Sequence, residues 1–201
     1  MRKSRVDKSK VLFLDIDGVL NSEEFFTSAY HDRLKLSRGE QGVMHDPRAV
    51  KLLGDIYKAT KCRIVMSSTW KSFFFKKDKT SKFLSKPLKK ELKKYGIFIK
   101  DWTDWSRNLE LEEKYQEYVW RYEGNIARLV KNPNKVEPKE FYGRGLQIKH
   151  WLDHHPEVKC FVVLDDIKMD LGLFGESYIK CDSNIGLTQA EADKAIKILR
   201  G

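Results

Sequence analysis

The stretch VLFLDIDGVLN, residues 11–21, carries an apolar run straight into two carboxylates, Asp15 and Asp17, and then a glycine. Four apolar residues in a row read as a short strand buried on both faces, as in parallel sheets. Such a strand cannot continue into ionised acids within a core, because a buried carboxylate without a partner is costly. The acids must end at a surface or face something cationic. No other feature constrains the fold as much.

The rest of the chain alternates in the same style. Residues 45–60 read as a helix with Asp46 as N-cap and Pro47 in the first turn, and Val50, Leu53 and Tyr57 recur at helical spacing. CRIVMSS is a second apolar strand ending in hydroxyls, and Leu84, Leu88, Leu92 and Tyr95 step along a helix that stops at Gly96. IFI at 97–99 reads as a third strand. LQIKHWLDHH is a helix, CFVVL a strand leading into Asp165 and Asp166, and SYIK a weak strand. Thr188 with Glu191 three residues on opens the last helix as a capping box. Strands alternating with helices predict an α/β fold, a three-layer sandwich with a central parallel sheet.

Two segments interrupt the alternation. Residues 101–142 open with DWTDW, carry Leu111, Tyr115, Tyr118 and Tyr122 at heptad-like spacing on a predicted helix, and close in the loop KNPNKVEPKE. Residues 22–45 form a smaller insertion. At 201 residues, without internal repeats, the chain suits one domain with these insertions, and the charged residues 1–10 read as a flexible basic tail rather than a signal peptide.

Side chains two apart on a strand share a face, so Asp15 and Asp17 are expected in one pocket at a strand's carboxyl end. Open parallel sheets bind ligands there. A second strand end offers Ser67, Ser68 and Thr69, and a later one Asp165, Asp166 and Asp170. Two like charges about 5 Å apart repel by about 3 kcal/mol at an effective dielectric near 20. A third carboxylate multiplies that load, so the cluster needs a cation or shared protons. With oxygen donors only, the expected metal is Mg²⁺ rather than zinc. His150 and His154 are spaced to share a zinc, yet find no third ligand beyond Asp153.

These motifs resemble a known family. Asp15-Ile-Asp17-Gly-Val, IVMSSTW and FVVLDDIKMD are similar to the first, second and fourth motifs of the haloacid dehalogenase-like (HAD) phosphatases. DGVLN, SSTW with a following basic residue, RG..I..WL and a late GLT resemble the branch associated with RNA-repair proteins. The resemblance implies that Asp15 attacks phosphorus to form an aspartyl-phosphate, while Asp17 acts as general acid and then base. It implies that Asp15, the backbone carbonyl of Asp17 and Asp166, with Asp165 nearby, hold Mg²⁺, and that Ser67 hydrogen-bonds the phosphoryl group. Ser67 is equally placed to cap a helix. For the third-motif cation, Arg144 matches the branch pattern and Lys149 is the commoner residue type. Ser68 and Lys71 are candidate substrate-binding residues, and lysine where the branch often has arginine loses a bidentate phosphate clamp. The two insertions occupy places where this superfamily carries caps.

Charge completes the expectation. The formal net charge is +10, and residues 71–100 hold 11 lysines against Asp78 and Glu91, interleaved with Phe73, Phe74, Phe75, Phe83 and Tyr95. This stretch is either a DNA- or RNA-binding surface or a solvated face over core aromatics. Three cysteines without CxxC spacing fit a reduced, cytoplasmic protein, and no apolar run reaches membrane-spanning length. The function expected is a Mg²⁺-dependent phosphomonoesterase acting on nucleotides or phosphorylated nucleic-acid ends. A non-catalytic nucleic-acid-binding module and a phosphotransferase are the alternatives.

Overall fold

A computed structural model describes residues 6–38, 44–76, 78–103, 118–123, 126–131 and 143–201, with backbone alone for 118–123, 126–131 and 169. Strand β1 (Asp7–Leu14) is followed by two short helices, α1 (Glu23–Phe26) and α2 (Ala29–Arg38). Helix α3 (Pro47–Thr60), N-capped by Asp46, leads into β2 (Cys62–Met66). Helices α4 (Lys71–Phe75) and α5 (Lys79–Lys94) precede β3 (Asp101–Trp102). An antiparallel pair, β4 (Tyr118–Glu123) and β5 (Ile126–Lys131), follows in the chain. Helix α6 (Gly143–Asp153), β6 (Cys160–Asp165), a 3-10 segment (Met169–Ser177), β7 (Tyr178–Lys180) and α7 (Gln189–Arg200) complete the chain.

The central sheet has the order β3-β2-β1-β6-β7 and every pairing in it is parallel. This is the α/β sandwich the alternation predicts. On one face Leu12, Leu14, Ile64, Met66, Val162 and Leu164 pack with α3, α5 and α7. On the other Val11, Phe13, Val65 and Val163 meet Ile148 and Trp151 of α6 and Leu171 of the 3-10 segment. Phe13 and Trp151 meet edge to face, ring centroids 5.2 Å apart. Full burial of each such side chain contributes about 1.5–3 kcal/mol. Among the described residues no helix is long and apolar enough to cross a membrane.

Three local expectations are revised. Residues 7–10 belong to β1, with Asp7 paired to Cys62, and so are not tail; residues 1–5 lie outside the described ones. The third strand is at Asp101–Trp102 rather than 97–99, because the N–H of Ile97 donates to Leu92 O at 3.1 Å behind Gly96 (φ +76°), closing α5 instead of joining β2. Tyr118 and Tyr122 lie on β4, antiparallel to β5, not on a helix; Leu111 and Tyr115 lie outside the described residues. Tyr-Val-Trp-Arg-Tyr is rich in β-branched and aromatic residues, and that propensity prevails over heptad-like spacing. Within residues 22–45, α1 is tied to the loop before α7 through Glu23 N to Ser183 O (3.1 Å) and Glu24 N to Asn184 O (2.9 Å).

Gly54 sits where α3 meets the end of α5: a Cβ there would fall 2.5 Å from the Tyr95 ring. Gly54→Ala gains about 1 kcal/mol of helix propensity but incurs about 1–3 kcal/mol of overpacking. Urea denaturation is expected to show net destabilisation of about 1 kcal/mol. In a Tyr95→Ala background the same change is expected to be neutral or stabilising; destabilisation there too would exclude the Tyr95 contact as its cause.

Candidate active site

The three central strands end in register. Leu14 pairs with Met66 and with Leu164, and the next amides continue the pattern: Asp15 N to Leu164 O at 3.0 Å and Ser67 N to Leu14 O at 2.9 Å. Alternation along each strand fixes the direction of its final side chain. Val11 and Phe13, Val65, and Val163 face α6. Asp15, Ser67 and Asp165 continue that parity, so they rise on the α6 side of the sheet.

Helix α6 begins beside them. Arg144 bridges Asp15 and Asp165 through one guanidinium nitrogen, NH1. Burial works against the Arg144 charge, but Asp165 and Asp15 together outweigh it and raise its pKa. The Asp165 carboxyl, fully buried, is pushed up to about 7, chiefly by burial, with Arg144 pulling it down and Asp15 adding to the rise. Asp166 is also raised by burial, and after that by Asp15. Oxygens of Asp15, Asp165 and Asp166 all lie within 4.8 Å of one another. One guanidinium cannot neutralise three carboxylates, and the donors are all hard oxygens. The cluster fits Mg²⁺ better than zinc.

Ser67 adds an unusual feature. Its Oγ is buried and has no hydrogen-bond partner. Such an orphan is costly and points to a ligand group. Ser68 is engaged locally, its Oγ accepting from Trp70 N at 3.3 Å.

Asp17 departs from the expected shared pocket. The strand ends at Leu14, residues 17–20 form a turn, and the two-residue alternation stops there. The exposed Asp17 carboxylate accepts hydrogen bonds from Trp70 Nε1 (3.0 Å to each oxygen) and Asn21 Nδ2 (2.9 Å). Gly18, at φ +68°, allows the turn, and a Cβ there would fall 2.5 Å from Asp166 Cγ. Trp70 and Asn21 are not evident as site residues from the sequence, although both lie inside the quoted motifs.

The remaining candidates separate. Lys149 is exposed and paired with Asp153 at 2.7 Å, more than a turn beyond Arg144 on α6, so Arg144 is the cation brought to the carboxylates. Lys71 is buried, its Nζ donating to Thr103 O (3.1 Å) and Gln147 Oε1 (2.8 Å), which ties the start of α4 to the end of β3 and to α6. His150 and His154 meet at a tilt with centroids 4.4 Å apart but belong to no three-ligand group among the described residues.

Asp170 is fully buried outside the carboxylate cluster, accepting from Gly145 N (3.0 Å) and Leu146 N (3.2 Å). It closes the first turn of α6, the turn that carries Arg144. A Cβ on Gly145 would fall 2.5 Å from Asp170 Oδ2, so the contact needs glycine at 145. Asp170→Ala leaves both donors without this acceptor and is expected to lower stability by about 1–3 kcal/mol in urea denaturation. An unchanged midpoint would show that these bonds contribute nothing.

A family model described as "HAD domain in Swiss Army Knife RNA repair proteins" matches residues 11–192. No curated protein and no solved structure matches the chain. The match runs from the start of the apolar run in β1 into α7 and spans all five strands of the sheet that carries the carboxylate and serine ends. The chain therefore belongs to the HAD domains of Swiss Army Knife RNA repair proteins, within the hydrolase and phosphatase superfamily.

Proposed function

We propose that the chain is a Mg²⁺-dependent phosphomonoesterase that works through an aspartyl-phosphate on Asp15 and acts on nucleotides or phosphorylated nucleic-acid ends. The observation that carries this reading is the convergence of Asp15, Asp165 and Asp166 beside the buried, unpartnered hydroxyl of Ser67. In this reading Asp15, Asp165 and Asp166, with the backbone carbonyl of Asp17, hold the ion. When bound, the ion supplies charge neutralisation and polarisation of the phosphoryl group.

The chain's own residues carry the two chemical steps. Asp15 attacks phosphorus, the bond to the leaving oxygen breaks, and Asp17 gives that oxygen its proton. Water, losing its proton to Asp17, next attacks the phosphorus of the acyl phosphate, which releases inorganic phosphate and restores Asp15. Arg144, already against Asp15, supplies positive charge to the equatorial oxygens, and Ser67 Oγ donates to one of them. Trp70 and Asn21 hold the Asp17 carboxylate at the rim. Contact with DNA or RNA runs through the basic region 71–100, where Lys71 acts as a strut between elements rather than a free phosphate clamp.

A role in nucleic-acid binding alone accounts less well for the site. A fully buried carboxyl whose pKa burial raises to about 7 and an orphan hydroxyl both destabilise the fold, and neither serves a surface that only binds phosphates. The segments 22–45 and 101–142, less Asp101 and Trp102, which form β3 of the central sheet, are proposed as caps that exclude water and select substrates.

A substrate panel tests the reading. Mononucleotides and 3′- and 5′-phosphorylated oligonucleotides are expected to release phosphate with Mg²⁺ and not after chelation. Asp15→Asn is expected to abolish turnover, and Ser67→Ala to lower kcat by about a hundredfold, as loss of one preorganised donor does. Normal Mg²⁺-dependent turnover by Asp15→Asn would rule out the nucleophile. Turnover of sugar phosphates with none of nucleotides would rule out the substrate class.

A further inference from the structure

Helix α5 carries lysines at 79, 82, 86, 90 and 93, stepping by three and four residues, so they form one stripe along the helix. The stripe lies opposite the face that buries Ser81, Ser85, Leu88 and Leu92. Two further lysines of the helix are engaged: Lys89 donates to Phe74 O at 2.6 Å and Lys94 pairs with Glu91 at 2.7 Å. The five stripe lysines have no carboxylate within salt-bridge distance among the described residues, and the helix's one acid, Glu91, is buried on another side. An ordinary solvated face mixes both signs. Here Lys82–Lys86 and Lys86–Lys90 repeat like charges at four-residue spacing, which destabilises a helix unless an anion lies along it.

The stripe also has a direction. Tyr95, at the end of α5, packs on Gly54 in the second half of α3, and α3 runs from the active-site end of the sheet back to the start of β2. Helix α5 lies on the return from the carboxyl end of β2 to the start of β3, which is parallel to β2, so it runs the same way and its first turn lies toward the active-site end. Lys89, next to the stripe, donates to Phe74 O near the end of α4, and the following Phe75 packs on Trp102 with centroids 4.0 Å apart; Trp102 is 38% exposed at the end of edge strand β3. On the far side of the carboxylates, the cavity beside Asp166 is lined by Asp182 and Glu191 against Lys180 alone. A polyanion is thus repelled on the β7 side and attracted over the β3 edge.

We propose that Trp102 and the α5 lysine stripe form a track for a single-stranded polynucleotide, so that a phosphorylated end of a chain is preferred as substrate over a mononucleotide. From Lys79 to Lys93 the stripe spans about 21 Å, enough for about six phosphates of a stacked strand. An exposed tryptophan beside it, connected through the end of α4, offers a base a stacking surface. A membrane surface fits less well, since α5 buries Leu88 and Leu92 and leaves Phe83 as its only exposed large apolar side chain.

Two measurements test this. The first is fluorescence anisotropy on a labelled 12-mer oligonucleotide without a terminal phosphate, across a salt series. It does not depend on the phosphatase reading. The wild-type chain is expected to show a slope of log affinity on log salt of about −3.5, for five lysines on a single strand. K82Q/K86Q/K90Q is expected to lower the slope's magnitude by about 2, and W102A to weaken binding without changing it. A slope unchanged in the triple variant overturns the proposal, as does binding to phosphatidylserine vesicles with none to the 12-mer.

The second is phosphate release, which does rest on the phosphatase reading. The triple variant is expected to lose about tenfold or more in kcat/KM on a phosphorylated 12-mer while keeping wild-type turnover of a mononucleotide. Wild-type turnover of mononucleotide and 12-mer with equal kcat/KM overturns the proposal. If no phosphate is released from any substrate but the salt slopes behave as expected, the phosphatase reading fails and the track stands.

Discussion

Everything at this site depends on the bridging of Asp15 and Asp165 by Arg144. Two adjacent parallel strands deliver carboxylates to one point, and the guanidinium is the only charge-compensating side chain shown in contact with both among the described residues. It arrives on the first turn of α6, and Asp170 secures that turn from the 3-10 segment. The helix that covers the second face of the sheet is thus also the helix that makes the carboxylates tolerable. Packing and chemistry share one element. The position of Trp151 against Phe13 and that of Arg144 against Asp15 are consequences of the same docking.

The site is built by strand parity more than by any loop. Once Val11 and Phe13 face α6, Asp15 must do the same, and Val65 and Val163 place Ser67 and Asp165 likewise. Asp17 escapes this rule by lying beyond the strand, in a turn that Gly18 permits. Its carboxylate can then sit at the exposed rim under the indole of Trp70. The proposed nucleophile and the proposed acid–base group thereby occupy different electrostatic surroundings, one buried against a cation and one open to solvent.

Much of this is legible in the sequence. The apolar runs ending in Asp15, Ser67 and Asp165 announce a parallel sheet with chemistry at its carboxyl end, because no other arrangement spares those acids. The choice of Arg144 over Lys149 needs three dimensions, since only the first turn of α6 reaches the cluster. The role of Asp170 is hidden for a related reason: four residues after Asp166 it looks like another ligand, and its distance from the cluster depends on the path of the 3-10 segment. Tyr118 and Tyr122 mislead because heptad-like spacing over so few residues is weak evidence beside a β-prone composition.

The short outer strands have a consequence for how this sheet behaves among other proteins. Strand β3 pairs over two residues and β7 over three, and the N–H of Ile97, which would have lengthened β3, is spent on the end of α5. Beside β3, Arg63 is ion-paired with Asp101, so the edge carries a fixed charge pair where a foreign strand would have to align. A five-stranded sheet with such brief borders offers little template for edge-to-edge growth. The cap that ends one helix therefore also guards the domain against aggregation.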